Sequence, residues 1–272
     1  MSQDKLRLGG MALRNGLLVH GPTHWAAAVR REDGTIGVAS GSKPALRGRL
    51  GDVPGARGIL RLTEAIAVIP LVKRGLPEAR LPFQDATVLA AMGAAMAGGT
   101  LLRRRVRGAG GEAALAALSV LPSLVSLRTG DVAAYHGVEH KAIGAYEQGA
   151  GDARDATKEH DRCGSHLVAP LMAANVAGAA LLRQLTRQPT PLASAAVQLA
   201  SVGAAVEVFA WSERHAGSRT ARALRRPGHE LQRVIGTREP TESQLEVGRA
   251  ALAEILRVEG AAAAGGGGPA AP

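Results

Sequence analysis

Four stretches of the chain are almost free of charge, and they set its plan. Residues 86–102 carry no ionisable group at all. Residues 113–127 form a second apolar run with Pro122 inside it, 167–182 a third with Pro170 and Asn175, and 191–206 a fourth that continues past Glu207 to Trp211. The first run is near the lower length for a spanning helix, about 17 residues, and the others are of similar length. Many of their residues are Ala and Gly, which let helices approach closely in lipid. Polar segments flank these runs. Trp25–Arg31 and Thr35–Ser40 read as two strands joined at Asp33-Gly34, a hairpin turn signal. Gly55–Val72 carries Ile59, Leu62, Ile66 and Ile69 in the stripe of an amphipathic helix, with Glu64 placed on its solvated face. Thr241-x-x-Gln244 has the form of a capping box, and the helix behind it, to about Val258, gathers Leu245, Leu252, Ile255 and Leu256 on one side. Ala261–Pro272 is low-complexity and expected to be disordered.

The pattern predicts a mainly α protein: about four short apolar helices suited to a membrane, a small N-terminal β-hairpin and a C-terminal helix. The expected divisions are a soluble segment at 1–84, an apolar helical region at 85–211, a basic and helical segment at 212–259, and a tail at 260–272.

Composition sharpens this. The formal charge is +10 over 272 residues, which calls for an anionic partner, either nucleic acid or an acidic membrane surface. Aromatic residues make up only 2%. Single-strand binders stack bases on aromatic rings, and no DNA-binding motif is present, so nucleic acid is disfavoured and the lipid bilayer is the expected partner. The single cysteine excludes an internal disulfide and leaves Cys163 for a metal. No leader is expected, since no apolar segment follows the early charges. Two helical hairpins would leave both termini on one side, expected to be the cytoplasmic side of the cell membrane, and the Arg103–Arg107 cluster on the other. That placement runs against the positive-inside tendency.

The chemistry is concentrated at Tyr135-His136-Gly137-Val138-Glu139-His140-Lys141. His136 and His140 are four apart, which on a helix puts both imidazoles on one face, one turn apart. The order H-x-x-E-H is the inverted zinc-protease pattern: two imidazole ligands and a carboxylate, Glu139, as general base. After a polar loop at 149–159 come His160 and Cys163, a ligand pair for zinc, which takes both imidazole and thiolate. Glu147 sits about 10 Å along the helix from His140, too far for a ligand on a straight helix, and is assigned to support. His20 and His24 are also four apart, but Gly21-Pro22 lies between them, so they read as loop histidines. Glu207, ionisable within an apolar stretch, is a further supporting candidate.

These residues also carry a family resemblance. Tyr135-His136-Gly137-x-Glu139-His140-Lys141, then Tyr146-Glu147, then His160-x-Arg162-Cys163-Gly164 is similar to the YqhQ-like family of bacterial membrane proteins, a domain of unknown function. The stretches Gly9–Ala12, Gly21-Pro22 and Ala28–Arg31 resemble its N-terminal segment. Pro227-Gly228, Leu231-Gln232, Thr237–Pro240 and Gln244–Val247 resemble its C-terminal one. The resemblance implies a membrane-embedded protein with a metal site and supplies no reaction. Lys141, Tyr146 and Arg162, which belong to the shared motif, are grouped with Glu147 and Glu207 as supporting residues. The chain departs from the family at Asp161, where a proline is usual, and at His166, where a small residue is usual, so His166 competes as a ligand.

Two readings follow. In one, His136, His140, His160 and Cys163 supply the ligands of a divalent metal, zinc by preference, and Glu139 activates water in a membrane-bound hydrolase of unknown substrate. In the other, the same four residues close a structural metal site in a non-enzymatic membrane scaffold. Both require His136, His140 and Cys163 to converge with His160 nearby, and the first requires Glu139 to face that point.

Overall fold

The computed structural model describes residues 5–44, 56–105, 108–149, 152–186 and 188–265. Four strands form an antiparallel meander in sequence order: β1 (Gly9–Ala12), β2 (Gly16–His20), β3 (His24–Arg30) and β4 (Ile36–Ser42). The hairpin read from the sequence is the β3–β4 half. Its turn is closed by Asp33, whose carboxylate accepts from the Thr35 amide at 2.9 Å, and by Gly34 at φ 83°, where a glycine is needed. The first two strands were not anticipated. Gly16–His20 is buried on both sides and so has no polar alternation to announce it. His20 ends β2 and His24 opens β3, so the two histidines placed in a loop flank a tight turn instead.

One face of the sheet meets α2 (Ile69–Gly75), with Leu18, Trp25, Ala27 and Val29 packing on Val68, Val72 and Leu76. The other face meets α5 (Val132–Gln148) and α9 (Glu242–Gly265), where Leu17, Val19, Ala26 and Ala28 join Val138, Leu245, Ala251 and Ile255. The capping box is formed: Thr241 N–H donates to Gln244 Oε1 at 3.0 Å and Gln244 N–H to Thr241 Oγ1 at 3.4 Å. Glu259 of α9 is buried, and its carboxylate accepts from the amides of Thr23 and His24 at 2.8 and 2.7 Å, tying the helix to the β2–β3 turn. α9 runs to Gly265, beyond the point where the tail was expected to begin. Residues 266–272 lie outside the described residues.

The helix read over Gly55–Val72 is two helices, α1 (Ala56–Ala67) and α2, because Pro70 lacks an N–H and restarts the chain in the first turn of α2. Gly55 lies outside the described residues. The apolar stripe of α1 does not all face inward: Leu62 and Ile66 are exposed, and Glu64 is half-buried.

The apolar runs form α3 (Ala86–Arg105), α4 (Ala109–Ser126), α6 (Val168–Leu185) and α7 (Pro191–Arg214). α3 pairs with α4, α6 with α7, and α4 with α6. Three of them, within Ala86–Arg103, Gly164–Leu185 and Pro191–Arg214, are long and apolar enough to cross a membrane, and α4 is a shorter apolar helix. Their outer faces expose Leu89, Met96, Leu181, Leu192 and Leu199, as suits a lipid surrounding. The α3–α4 connection, where the arginine cluster was read, includes Arg107, which lies outside the described residues. α8 (Arg219–Leu231) and a π-helical turn, Gln232–Gly236, lead back from α7 to α9.

Candidate metal centre

α5 is buried from Gly137 to Ala145, which is unusual for a helix holding two histidines, a glutamate and a lysine. It lies between the sheet, α9 and the loop that precedes α6. Its polar groups therefore need partners, and the neighbouring backbone supplies most of them.

His136 Nδ1 lies 2.8 Å from the Gly236 carbonyl, and His140 Nδ1 lies 2.6 Å from the Lys158 carbonyl. A carbonyl can only accept, so each Nδ1 carries the proton and each Nε2 presents a lone pair. The two rings are 4.3 Å apart between centroids. His136 Nε2 lies 3.3 Å from Cys163 Sγ. His140 Nε2 is buried and has no hydrogen-bond partner among the described residues. Ligand atoms of His136, His140 and Cys163 all lie within 4.8 Å of one another. An orphaned imidazole nitrogen facing a second imidazole and a thiol is a donor set that fits a metal ion. Burial, with His136 close by, lowers the His140 pKa to about 2, which keeps the ring in its neutral, ligating form. Burial pushes the Cys163 thiol up to about 11, against the pull of the Ser165 amide and side chain. Without a cation the thiol stays protonated.

His160 stands beside this group rather than in it. Its ring is 5.6 Å from that of His140 between centroids, but Nε2 faces Glu147 Oε2 at 3.1 Å and Nδ1 accepts from the Arg162 amide at 3.3 Å. Both nitrogens are thus engaged, and three of the four expected ligands converge. Arg162 also pairs with Glu147, so the Glu147 carboxylate is shared between Arg162 and the His160 ring. His166 does not compete as a ligand. Its Nδ1 lies 2.9 Å from the Arg225 carbonyl of α8, and its Nε2 faces Gln232.

Glu139 is buried beside the three donors and outside their group. Burial raises its pKa, while His136 and His160 pull it down. Among the described residues its carboxylate has no hydrogen bond or ion pair. It fits against β1 because residue 10 is glycine: a Cβ there would lie 2.7 Å from Glu139 Cδ. Lys141 points the other way, donating to the carbonyls of Arg154 and Ala156 at 3.0 and 2.9 Å and pairing with Glu239 at 2.7 Å. It fixes the loop and does not reach the site. Tyr146 accepts from the Leu6 amide at 3.0 Å, holding the N-terminal segment on α5. Glu207 is half-buried in α7, within the apolar span.

The match with known proteins falls on this region. Residues 124–258 match the family model described as "Protein of unknown function (DUF1385)". Through this stretch the chain belongs to that family. The DUF1385 region takes in α5, the loop with Cys163 and helices α6 to α9 up to Val258, so all three converging donors lie inside it. No curated protein and no solved structure matches the chain.

One residue that the sequence offers only as part of the C-terminal resemblance belongs beside the site. Gln232 is fully buried; its Oε1 accepts from the His160 amide at 2.8 Å, and its Nε2 donates to the His160 carbonyl at 3.2 Å and to Ser165 Oγ at 2.8 Å. It clamps both ends of the segment that holds Cys163. The π-helical turn it begins brings the Gly236 carbonyl to His136. Such turns recur at functional sites, but nothing in the local composition announces one.

Proposed function

We propose that the protein is a membrane-embedded, metal-dependent hydrolase. The observation that carries this reading is the convergence of His136, His140 and Cys163 with both histidine Nε2 atoms turned inward. Three protein donors leave a coordination position for water or substrate, as in catalytic sites, whereas structural sites are closed by four. Two imidazoles and one thiolate favour zinc among the common divalent ions. A cation held there supplies Lewis-acid activation at neutral pH. The chain provides the rest. Glu139, buried and without a partner, accepts the proton of the attacking water and returns it to the leaving group. The Gly236 and Lys158 carbonyls hold the imidazoles in one tautomer. The loop clamped by Gln232 keeps Cys163 in place. The scaffold reading needs a fourth donor, and His160, the nearest candidate, is engaged by Glu147 and Arg162.

The bilayer position is supported by the three long apolar helices, and the cytoplasmic side is assigned to the site by the basic residues that follow α7 at Arg214, Arg219, Arg222, Arg225 and Arg226. Metal analysis of protein purified in detergent tests the centre. One equivalent of zinc in wild type and in His160→Ala, and almost none in His140→Ala or Cys163→Ala, is the expected result. A metal-free wild type, or a His160→Ala protein as depleted as His140→Ala, defeats the assignment.

A further inference from the structure

A cavity of about 400 Å³ lies between α4 and α6 and reaches His136, one of the three converging donors. His136, Ser165 and Gly236 line that end, so the imidazole and the carbonyl that fixes its tautomer both belong to the wall. Away from it the lining is Val120 and Leu124 from α4, and Val168, Leu171 and Met172 from α6. Two of the α4 hydroxyls that intrude are turned back on their own helix: Ser119 donates to the Ala116 carbonyl and Ser126 to the Ser123 carbonyl, each at 2.7 Å. Away from His136 the wall is therefore mostly apolar, with Ser123 and Asn175 as its remaining polar side chains among the described residues.

The dimensions point the same way. The α4 wall runs from Ala116 to Leu127, a rise on the order of 15 Å at 1.5 Å per residue. That is about the depth of one leaflet in a hydrocarbon core ~30 Å thick. The volume falls in the ordinary range for a small-ligand site, about 300–1,000 Å³. A polar metabolite would meet few groups to bind it here, whereas a hydrocarbon chain would meet a matched surface.

We infer that this cavity holds the hydrocarbon chain of an amphiphilic substrate and presents its hydrolysable polar group at His136, His140 and Cys163. The substrate class is a single-chain acyl amphiphile drawn from the membrane. The chain seat stands on the cavity alone; the cleavage at its end rests on the hydrolase reading above.

Photolabelling tests the two parts separately. The probe is decanoyl hydroxamate with a diazirine near the chain end, added to the full-length protein in phosphatidylcholine nanodiscs, with zinc measured on the same samples. Labelling should concentrate in residues 116–127 and 168–175 and fall at least fivefold in Ser123→Phe, which fills the cavity from α4. If Ser123→Phe does not fold, Met172→Trp narrows the same space from α6. Labelling spread over the outer faces of α3 and α7, or left unchanged by both variants, overturns the inference even with zinc present. Cavity labelling in a protein without zinc upholds the chain seat and sinks the metal-dependent hydrolase alone.

Discussion

Replacing Gln232 by leucine keeps its volume and removes its polar end. The Gln232 amide meets the 160–166 segment at four points: Oε1 accepts from the His160 amide, and Nε2 lies within hydrogen-bond distance of the His160 carbonyl, Ser165 Oγ and His166 Nε2. In Gln232→Leu the His160 N–H is left buried without a partner. The His160 carbonyl keeps the Cys163 amide and the approach of His166 Nε2, each at 3.3 Å. An unsatisfied buried group costs about 1–3 kcal/mol, and the His160 N–H is the group left so. At about 2–4 °C per kcal/mol for a chain of this size, the melting temperature should fall by roughly 2–12 °C. The segment also carries Cys163, so its loosening should reach the metal. Loss of an outer contact of this kind lowers metal affinity about 10- to 100-fold. The assay is zinc competition against a chromophoric chelator at a temperature where the variant is still folded, with the melt recorded in parallel. A folded Gln232→Leu protein that holds zinc as tightly as wild type refutes the claim that Gln232 positions the thiol. A drop equal to that of Cys163→Ala would instead mean the segment has collapsed.

Other consequences are checked more directly. Gly10→Val should displace the Glu139 carboxylate without touching a ligand, so zinc content stays near wild type while hydrolysis of an acyl ester falls about 10²- to 10⁴-fold, the usual worth of a general base. Lys141→Met leaves the Arg154 and Ala156 carbonyls unpaired, and thermal melts should show it destabilised by about 2–4 kcal/mol with zinc retained, since Lys141 faces away from the centre. Burial, with Lys43 nearby, lowers the His20 pKa from 6.5 to about 4, so the unfolded chain binds the extra proton first. Stability from this group is complete above pH 6.5 and declines toward pH 4 by up to about 3 kcal/mol; unfolding curves of metal-free wild type and His20→Asn should diverge over that window, and parallel curves would count against it. On fractionation the protein should pellet with membranes, resist high salt and be released by detergent; recovery in the high-speed supernatant would favour a soluble helical bundle.

What could be read from the sequence was what local spacing decides. The i, i+4 histidines, the capping box, the Asp33-Gly34 turn and the four apolar runs each follow from a few neighbouring residues. The failures share a different cause. His160 was assigned to the metal by its distance from Cys163, but its ring is turned by Glu147 and Arg162, and spacing says nothing of which way a ring faces. Lys141 was grouped with the site because it belongs to the shared motif, yet its ammonium is held by the Arg154 and Ala156 carbonyls, and the residue after His140 on a helix points about 100° away. β2 escaped notice because a strand covered on both faces shows no alternation. Gln232 and the carbonyls of Lys158 and Gly236 are further from reach still. A backbone carbonyl has no signature in sequence, and here two of them decide which nitrogen of each histidine is offered.

The charged residues of the bundle mark where the proposed hydrocarbon layer ends, and this bears on how a lipid would meet the site. Asp85 pairs with Arg14 at 3.0 Å just before α3, and Glu213 pairs with Arg7 at 2.9 Å near the end of α7, both on the side of the sheet and the metal centre. At the opposite end Glu112 of α4 pairs with Arg183 of α6 at 2.7 Å, and Arg103 and Arg105 close α3. The uncharged length of α3 between these levels is 86–102, about 25 Å at 1.5 Å per residue, a few ångströms short of a ~30 Å core. A span that short is accommodated by local thinning of the bilayer, at fractions of a kcal/mol per ångström. Thinning draws the head-group level toward the end of the bundle where His136 lies. The cavity that begins at His136 then runs from the polar surface into the apolar layer, in the direction an acyl chain already points. A lipid would need to leave little of its hydrocarbon exposed to water to place its polar end at the three donors, which is why a shallow bundle of small-residue helices suits a metal centre built at its edge.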